Sequence, residues 1–167
     1  MFVFVLVVGC LARDVCAEPL PISPSVAQWI EWGKVVHGGF GSHIALGVRI
    51  GQDAMTQLKA ERRELNVTVT TGAHAPCACV ADGITIATSA SVGQRSMQVQ
   101  APSDDTSFIA LVVFQKRNER KRIIYRIPSS ATSTLAEMNA EHSAEQRYQL
   151  VMSAPQEQLY TVEVQEK

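Results

Sequence analysis

The stretch HGGFGSHIALGVRIGQDAM, residues 37–55, sets three glycines and two histidines directly before an apolar helical pattern. Apolar or small residues recur there at offsets that place them on one face of an α-helix: Ile44, Val48, Gly51, Met55 and Leu58. Glycine permits the positive φ angles of a tight bend, which would bring the imidazoles of His37 and His43 to one point. We therefore expect a chemical site where this helix begins, with Ser42 as its N-cap.

Patterns on either side of this helix predict an α+β fold. Ser25 can cap a helix over residues 26–36, and Gly47 and Gly51 permit the close approach of another backbone. A further helix is expected from Pro76 to Gly93, followed later by two helical pieces and a short strand. Alternating apolar residues predict strands over residues 64–72, 107–115 and 121–128, the last two forming a hairpin. The predicted architecture is an antiparallel or mixed sheet packed with segregated helices.

Length and composition are those of one globular domain. The chain has 167 residues, of which 46% are hydrophobic and 19% are charged, so it can bury a core. Its formal net charge of -1 provides no overall basic field that would attract nucleic acid. The basic cluster at residues 116–122 could bind an anion or nucleic acid, but no aromatic platform accompanies it, and we interpret it as a solvated hairpin tip that discourages edge pairing.

The N-terminus predicts export. Residues 1–12, MFVFVLVVGCLA, form an apolar run that is too short to span a bilayer and is typical of a secretory signal. We assign residues 1–17 to a signal segment, 18–25 to a Pro-rich linker and 26–167 to the domain. Cleavage after Ala17 and lipidation at Cys10 both stay open, giving a periplasmic or membrane-anchored protein. The protein is cytoplasmic if the run is not a signal.

A cysteine and an aspartate extend the candidate site. Cys79 falls in the first turns of the second predicted helix, where free amides and the helix dipole favour thiolate, and Asp82 lies one turn later. We expect His37, His43 and Cys79 to bind a divalent metal such as Zn²⁺, and Cys79 and Asp82 to be catalytic. Cys77 and Cys79 are expected to stay thiols, because adjacent Cys-x-Cys pairs rarely meet the geometry of a disulfide.

At these residues the sequence resembles the family of the E-type subunit of formylmethanofuran dehydrogenase, over residues 28–164. The segment HGGFGSHIALGVRIG matches the family's first motif, His-Gly-His-x-Cys-Pro-Gly-x-x-Leu-Gly, and starts at His37. The segment CVADGITIAT matches the second motif through Cys79 and Asp82, and the segments TSASVGQ and PQEQLY agree as well. The resemblance implies an α+β domain that forms an intertwined homodimer with a crevice near these motifs.

Three ligand positions of the family pattern differ here. Gly39 replaces the second histidine, Gly41-Ser42-His43 replaces Cys-Pro-Gly, and Ala90 replaces a later cysteine. His43 and Cys77 are the residues that can compensate. The longer members' C-terminal zinc finger has no counterpart, because no cysteine follows Cys79.

Three functions follow as hypotheses. The first is a metal-binding domain, either a metal-dependent enzyme or an accessory factor, whose small-molecule substrate is unknown. The second is a non-metal module that holds an anion at the helix start near Ser42, with a polar lining from Thr85, Thr88, Ser89 and Ser91. The third is a catalytically inactive dimeric scaffold. The first requires the bend near residue 40 to pack against the turn that follows Pro76.

Overall fold

A computed structural model describes residues 23–166 of the chain. Its elements are α1 (Val26–His37), α2 (Ser42–Gln57), β1 (Leu65–Thr71), α3 (Cys79–Thr88), β2 (Met97–Val99), β3 (Phe108–Lys116), β4 (Arg122–Pro128), α4 (Ala131–Asn139), α5 (Ala144–Ser153), α6 (Gln156–Leu159) and β5 (Thr161–Gln165). The predicted signal segment, residues 1–17, lies outside the described residues, as does most of the Pro-rich linker. Within the described part of the chain, no helix is long and apolar enough to cross a membrane.

The strands form one mixed sheet in the order β2-β1-β3-β4-β5. β1 and β2 are parallel, whereas the other neighbouring strands are antiparallel. Every second residue of β1 and β4 is buried, because side chains alternate across a pleated strand. Val69 pairs with Val112, which in turn pairs with Tyr125, so the buried face continues across three strands. The α+β class and the mixed sheet packed with helices are confirmed.

Helices α2 and α3 cross with their backbones in contact. A Cβ atom built at Gly47 would lie 2.2 Å from the carbonyl oxygen of Val80, and one built at Gly83 would lie 2.1 Å from that of Ile44. Only glycine at both positions leaves room for this crossing. The predicted close approach at Gly47 is confirmed, and it fixes the first turns of α2 and α3 beside each other.

Two helix ends differ from the sequence-based expectation. Ser42 is the first residue of α2 rather than its N-cap, which is Gly41. The Ser42 hydroxyl is buried and donates a hydrogen bond to the carbonyl oxygen of Leu135, so it is not free to cap. Helix α3 spans Cys79–Thr88 rather than Pro76 to Gly93, because Ser89 adopts a left-handed conformation and its N–H closes the last turn.

Other local predictions are confirmed. Ser25 caps α1 in a full capping box with Gln28. The hairpin of β3 and β4 forms as expected and Pro128 closes it. Helix α4 then packs over the start of α2, where the side-chain oxygen of Asn139 accepts a hydrogen bond of 3.2 Å from the Ser42 N–H. Through this contact, α4 lies beside the region that contains the two histidines.

Candidate functional site

A cavity of about 420 Å³ lies between the α1–α2 corner, the segment before α3, and α4. Its lining comprises His37, Gly41, His43, Ile44, Pro76, Cys77, Cys79, Thr132, Leu135, Ala136 and Asn139. The bend near residue 40 and the turn after Pro76 therefore meet, as the first hypothesis requires. The cavity brings two imidazoles and two sulfur atoms to one place, with mainly apolar walls contributed by α2 and α4.

His37 is held by a carboxylate. Its Nδ1 lies 2.7 Å from Oδ2 of Asp82, which projects from the first turn of α3. His37 is the last residue of α1, and Gly38 ends that helix with a φ of 85°. If the carboxylate accepts the Nδ1 proton, the imidazole orientation is fixed and Nε2 keeps its lone pair. The arrangement is the one in which histidine binds metals, and it also suits a general base.

His43 has a buried nitrogen with no protein partner. It is the second residue of α2, and within the described residues its Nε2 is inaccessible to solvent and makes no hydrogen bond. Burial lowers the pKa of the His43 imidazole, so the neutral form is favoured. A buried polar atom without a partner is costly and uncommon. His43 lines the cavity with other atoms of its side chain, so its Nε2 would meet a metal ion or a ligand only after the ring turns.

Cys77 and Cys79 form a disulfide, contrary to the expectation of two free thiols. Their Cα atoms are 5.3 Å apart, which lies inside the usual range for a bridge. The chain between Pro76 and α3 turns sharply enough for the Cys79 N–H to donate to the Cys77 sulfur at 3.3 Å. The local turn therefore supplies the geometry that sequence spacing alone did not predict. In this state neither sulfur is a thiolate.

The donor atoms around the cavity fit a metal only in part. Among the described residues, no group of three or more His, Cys, Asp or Glu side chains is arranged to hold a metal ion. The carboxylate-held ring of His37 offers one nitrogen ligand, and the buried, unpaired Nε2 of His43 would offer a second only after the ring turns towards the cavity. The two sulfur ligands become available only when the disulfide is reduced. The assignment of His37, His43 and Cys79 as ligands, and of Cys79 and Asp82 as catalytic, stays a prediction.

The polar residues proposed for an anion site do not line this cavity. Thr88 is buried, and its hydroxyl donates to the carbonyl oxygen of Ile84 while accepting from the N–H of Ala90. The Ser42 N–H at the start of α2 already has Asn139 as an acceptor. An anion at that helix start would have to displace this amide, which weakens the anion hypothesis.

Sequence reasoning did not predict the α4 wall of the site. Asn139, Leu135 and Ala136 lie nearly 100 residues after the His-Gly segment, and they belong to no recognisable motif. The pattern after Pro128 predicted helical pieces without their bounds and without indicating the partner of any one of them. Long-range contacts define that position, among them the bonds from Ser42 to Leu135 and Asn139 and the burial of Leu135 in the core.

Comparison with known proteins gives one family. The family model described as FmdE, Molybdenum formylmethanofuran dehydrogenase operon, matches residues 36–163. This range covers most of the chain and contains His37, His43, Cys79 and Asp82. No curated protein matches the chain.

Proposed function

We propose that this chain, which belongs to the FmdE family, is a metal-binding domain protein whose cavity takes a divalent transition metal such as Zn²⁺. The proposed ligands are the imidazoles of His37 and His43 and, in the reduced protein, the thiolate of Cys79. The observation that carries the proposal is the pair of imidazoles on one cavity, one held by Asp82 and one with an unpartnered buried nitrogen.

Each protein group has a distinct part in this proposal. Asp82 orients the His37 ring, as carboxylate partners of metal-ligating histidines do. Burial keeps His43 neutral, which is the form that binds a metal. When bound, such a metal would activate water or polarise a carbonyl group. The remaining volume, bounded by Ile44 and Leu135, suits a small organic substrate.

A second candidate function is binding of a small organic molecule without a metal. The cavity of about 420 Å³ is much larger than an ion needs and falls in the usual range of ligand pockets. Its apolar walls, Ile44, Pro76, Leu135 and Ala136, would pack on such a ligand. His43 Nε2 would then accept a hydrogen bond from the ligand. If the cavity binds neither a metal nor an organic ligand, the third hypothesis, a catalytically inactive scaffold, accounts for the protein.

We also propose that the protein is exported and that it forms a homodimer. The Cys77–Cys79 disulfide supports export, because disulfides form and persist in oxidising compartments. Fractionation of cells that express the full chain checks the first proposal, and sedimentation equilibrium of purified protein checks the second. A single cytosolic pool would contradict export, and a monomer at micromolar concentration would contradict the dimer.

Elemental analysis tests the metal proposal. Full-length protein is reduced, dialysed against Zn²⁺ and then against metal-free buffer, and its zinc content is measured. We expect one zinc per chain, and losses in His37→Ala and His43→Ala. His74→Ala is the matched control, because this exposed histidine lies just before Cys77 but does not line the cavity. Metal-free wild-type protein with intact folding would overturn the proposal, as would equal losses in the control.

A further inference from the structure

We propose that the Cys77–Cys79 disulfide oxidises a pair of substrate thiols, so that the protein is reduced and the substrate's two sulfurs become bonded to each other. The proposal goes beyond metal binding and needs no metal. It starts from three observations on the described residues. The two sulfurs are bonded to each other, both cysteines line the cavity of about 420 Å³, and one of them is exposed.

The disulfide contributes little to holding the fold together. A bridge stabilises a protein more as the loop that it closes grows longer, and this one joins residues only two apart. Helix α3, which begins at Cys79, is held on α2 by the close approach of Gly83 to Gly47. Breaking the bridge therefore separates no distant parts of the chain. We expect reduction to leave the domain folded, which makes a purely structural role a poor explanation of this bridge.

The bridge is open to attack at one of its two ends. Cys77 is exposed, whereas Cys79 is half-buried and packs against the hydrophobic core. Exchange begins with direct attack of a thiolate on a bridge sulfur, so exposed disulfides are the ones that react readily. The first attack therefore falls on Cys77, and Cys79 provides the sulfur that leaves.

The cavity beside the bridge determines the kind of substrate. Its volume lies in the usual range of ligand pockets, and its lining includes the apolar side chains of Ile44, Leu135 and Ala136. A substrate sulfur that bonds to Cys77 would place its neighbouring groups in this cavity. We expect a peptide dithiol with an apolar side chain beside the attacking cysteine, because burying one leucine side chain favours association by about tenfold or more. A small dithiol without such a side chain would undergo the same exchange more slowly.

The exchange balances with the substrate dithiol as the reductant. The thiolate of one substrate thiol attacks the sulfur of Cys77, the Cys77–Cys79 bond breaks, and the sulfur of Cys79 takes up the proton that the thiol has lost. The second substrate thiolate attacks the substrate sulfur of this mixed disulfide, and the sulfur of Cys77 leaves and takes up the second proton. The substrate ends as a disulfide and the protein as a dithiol. Two electrons and two protons have moved to the protein.

Single-turnover oxidation of a model peptide tests the proposal. Full-length protein with Cys10→Ser and Cys16→Ser keeps Cys77 and Cys79 as its only cysteines. The protein is oxidised, freed of oxidant and mixed, without oxygen and with a metal chelator, with an excess of a peptide that has two cysteines next to leucines. Mass spectrometry follows the peptide, protein thiols are counted, and circular dichroism measures folding. We expect one peptide disulfide and two protein thiols per folded chain.

Three variants locate the reaction. Cys77→Ser cannot form the bridge, so it should leave the peptide reduced. Ala136→Glu puts a charge on the apolar lining of the cavity, and it should slow oxidation of the leucine peptide about tenfold more than oxidation of a small dithiol. Ser133→Glu is the matched control, because Ser133 is exposed on the same helix but does not line the cavity. Its rates should equal those of the parent protein.

Four results would overturn the proposal: a peptide that stays reduced, equal oxidation by Cys77→Ser, unfolding of the protein when the bridge is reduced, or equal rates for the leucine peptide and the small dithiol. Equal slowing in Ala136→Glu and Ser133→Glu would overturn the cavity as the place where the peptide binds. All these measurements are made without metal. Failure here therefore leaves the metal-binding proposal standing, and a protein that binds no zinc leaves this one standing.

Discussion

The crossing of α2 and α3 makes a quantitative prediction at Gly47. In Gly47→Ala the new methyl group would start 2.2 Å from the carbonyl oxygen of Val80 and 2.9 Å from the Cα of Gly83. Carbon atoms normally pack at about 3.5–4.0 Å, so the two helices must separate by roughly 1 Å. Both obstacles are backbone, which cannot rotate away as a side chain can.

The expected loss combines two opposing effects. Alanine gains about 1 kcal/mol of helix propensity over glycine in the interior of α2. Overpacking a filled core costs typically about 1–3 kcal/mol, and a clash with backbone belongs at or above the upper end of that range. We therefore expect Gly47→Ala to lower the free energy of unfolding by about 2 kcal/mol or more. It should also weaken ligand binding, because His43 and Cys79 sit on the helices that separate.

Urea denaturation followed by tryptophan fluorescence measures this loss, since Trp29 is buried in the core. Gly51→Ala is the matched control on the same helix. Its methyl group would meet the Cβ of Ala87 at 2.9 Å and the Cγ2 of Thr88 at 3.3 Å, so its closest contact is 0.7 Å longer than the 2.2 Å contact at Gly47. We expect the control to lose clearly less stability than Gly47→Ala. A Gly47→Ala protein as stable as the wild type, or equal losses in both variants, would refute the reasoning.

Three further predictions concern the site. Asp82→Asn should weaken zinc binding about 10–100-fold with little change in stability, because it alters only the group that orients His37. Zinc affinity is measured by competition titration, and an unchanged affinity would contradict this prediction. In metal-free protein His43 should make stability fall as pH drops below 6.5, since burial lowers its folded pKa and the unfolded chain takes up the proton first. The contribution of His43 to the slope of the unfolding free energy against pH should not exceed about 1.4 kcal/mol per pH unit. Urea titrations at several pH values should show that His43→Gln removes this contribution. An identical slope in the variant would show that His43 is not its source. Ser42→Ala should lower the free energy of unfolding, measured by urea denaturation, by about 1–3 kcal/mol, because the carbonyl of Leu135 loses its buried hydroxyl donor. A loss below about 0.5 kcal/mol, which is usual for surface substitutions, would contradict that account.

Local patterns in the sequence predicted most of the secondary structure. The α2 face, the β3–β4 hairpin and the Ser25 cap each depend on residues that are close to each other in the chain. Helix ends were less predictable. Ser42 is of a residue type that favours the N-cap, but a partner 93 residues away engages its hydroxyl. Competition from a tertiary hydrogen bond is not visible in a local pattern.

Sequence analysis predicted only those site residues whose side chains can bind a metal or transfer a proton. His37, His43, Cys79 and Asp82 were recognised by residue type and by family resemblance, and the structure brings them around one cavity or into direct contact with its lining. The Cys77–Cys79 bridge was wrongly excluded, because the average strain of such pairs does not describe the particular turn that precedes α3. The apolar wall from α4 has no chemical signature in the sequence, because tertiary packing and the long-range bonds from Ser42 determine its position.

The most direct test of the central claim is the position of a bound metal in a crystal. Crystals of the reduced full-length protein would be soaked in Zn²⁺, and data would be collected on both sides of the zinc absorption edge. The account predicts an anomalous peak in the cavity, within bonding distance of the imidazoles of His37 and His43 and of the Cys79 sulfur. A fully occupied peak at His74 or His142 with none in the cavity would contradict it.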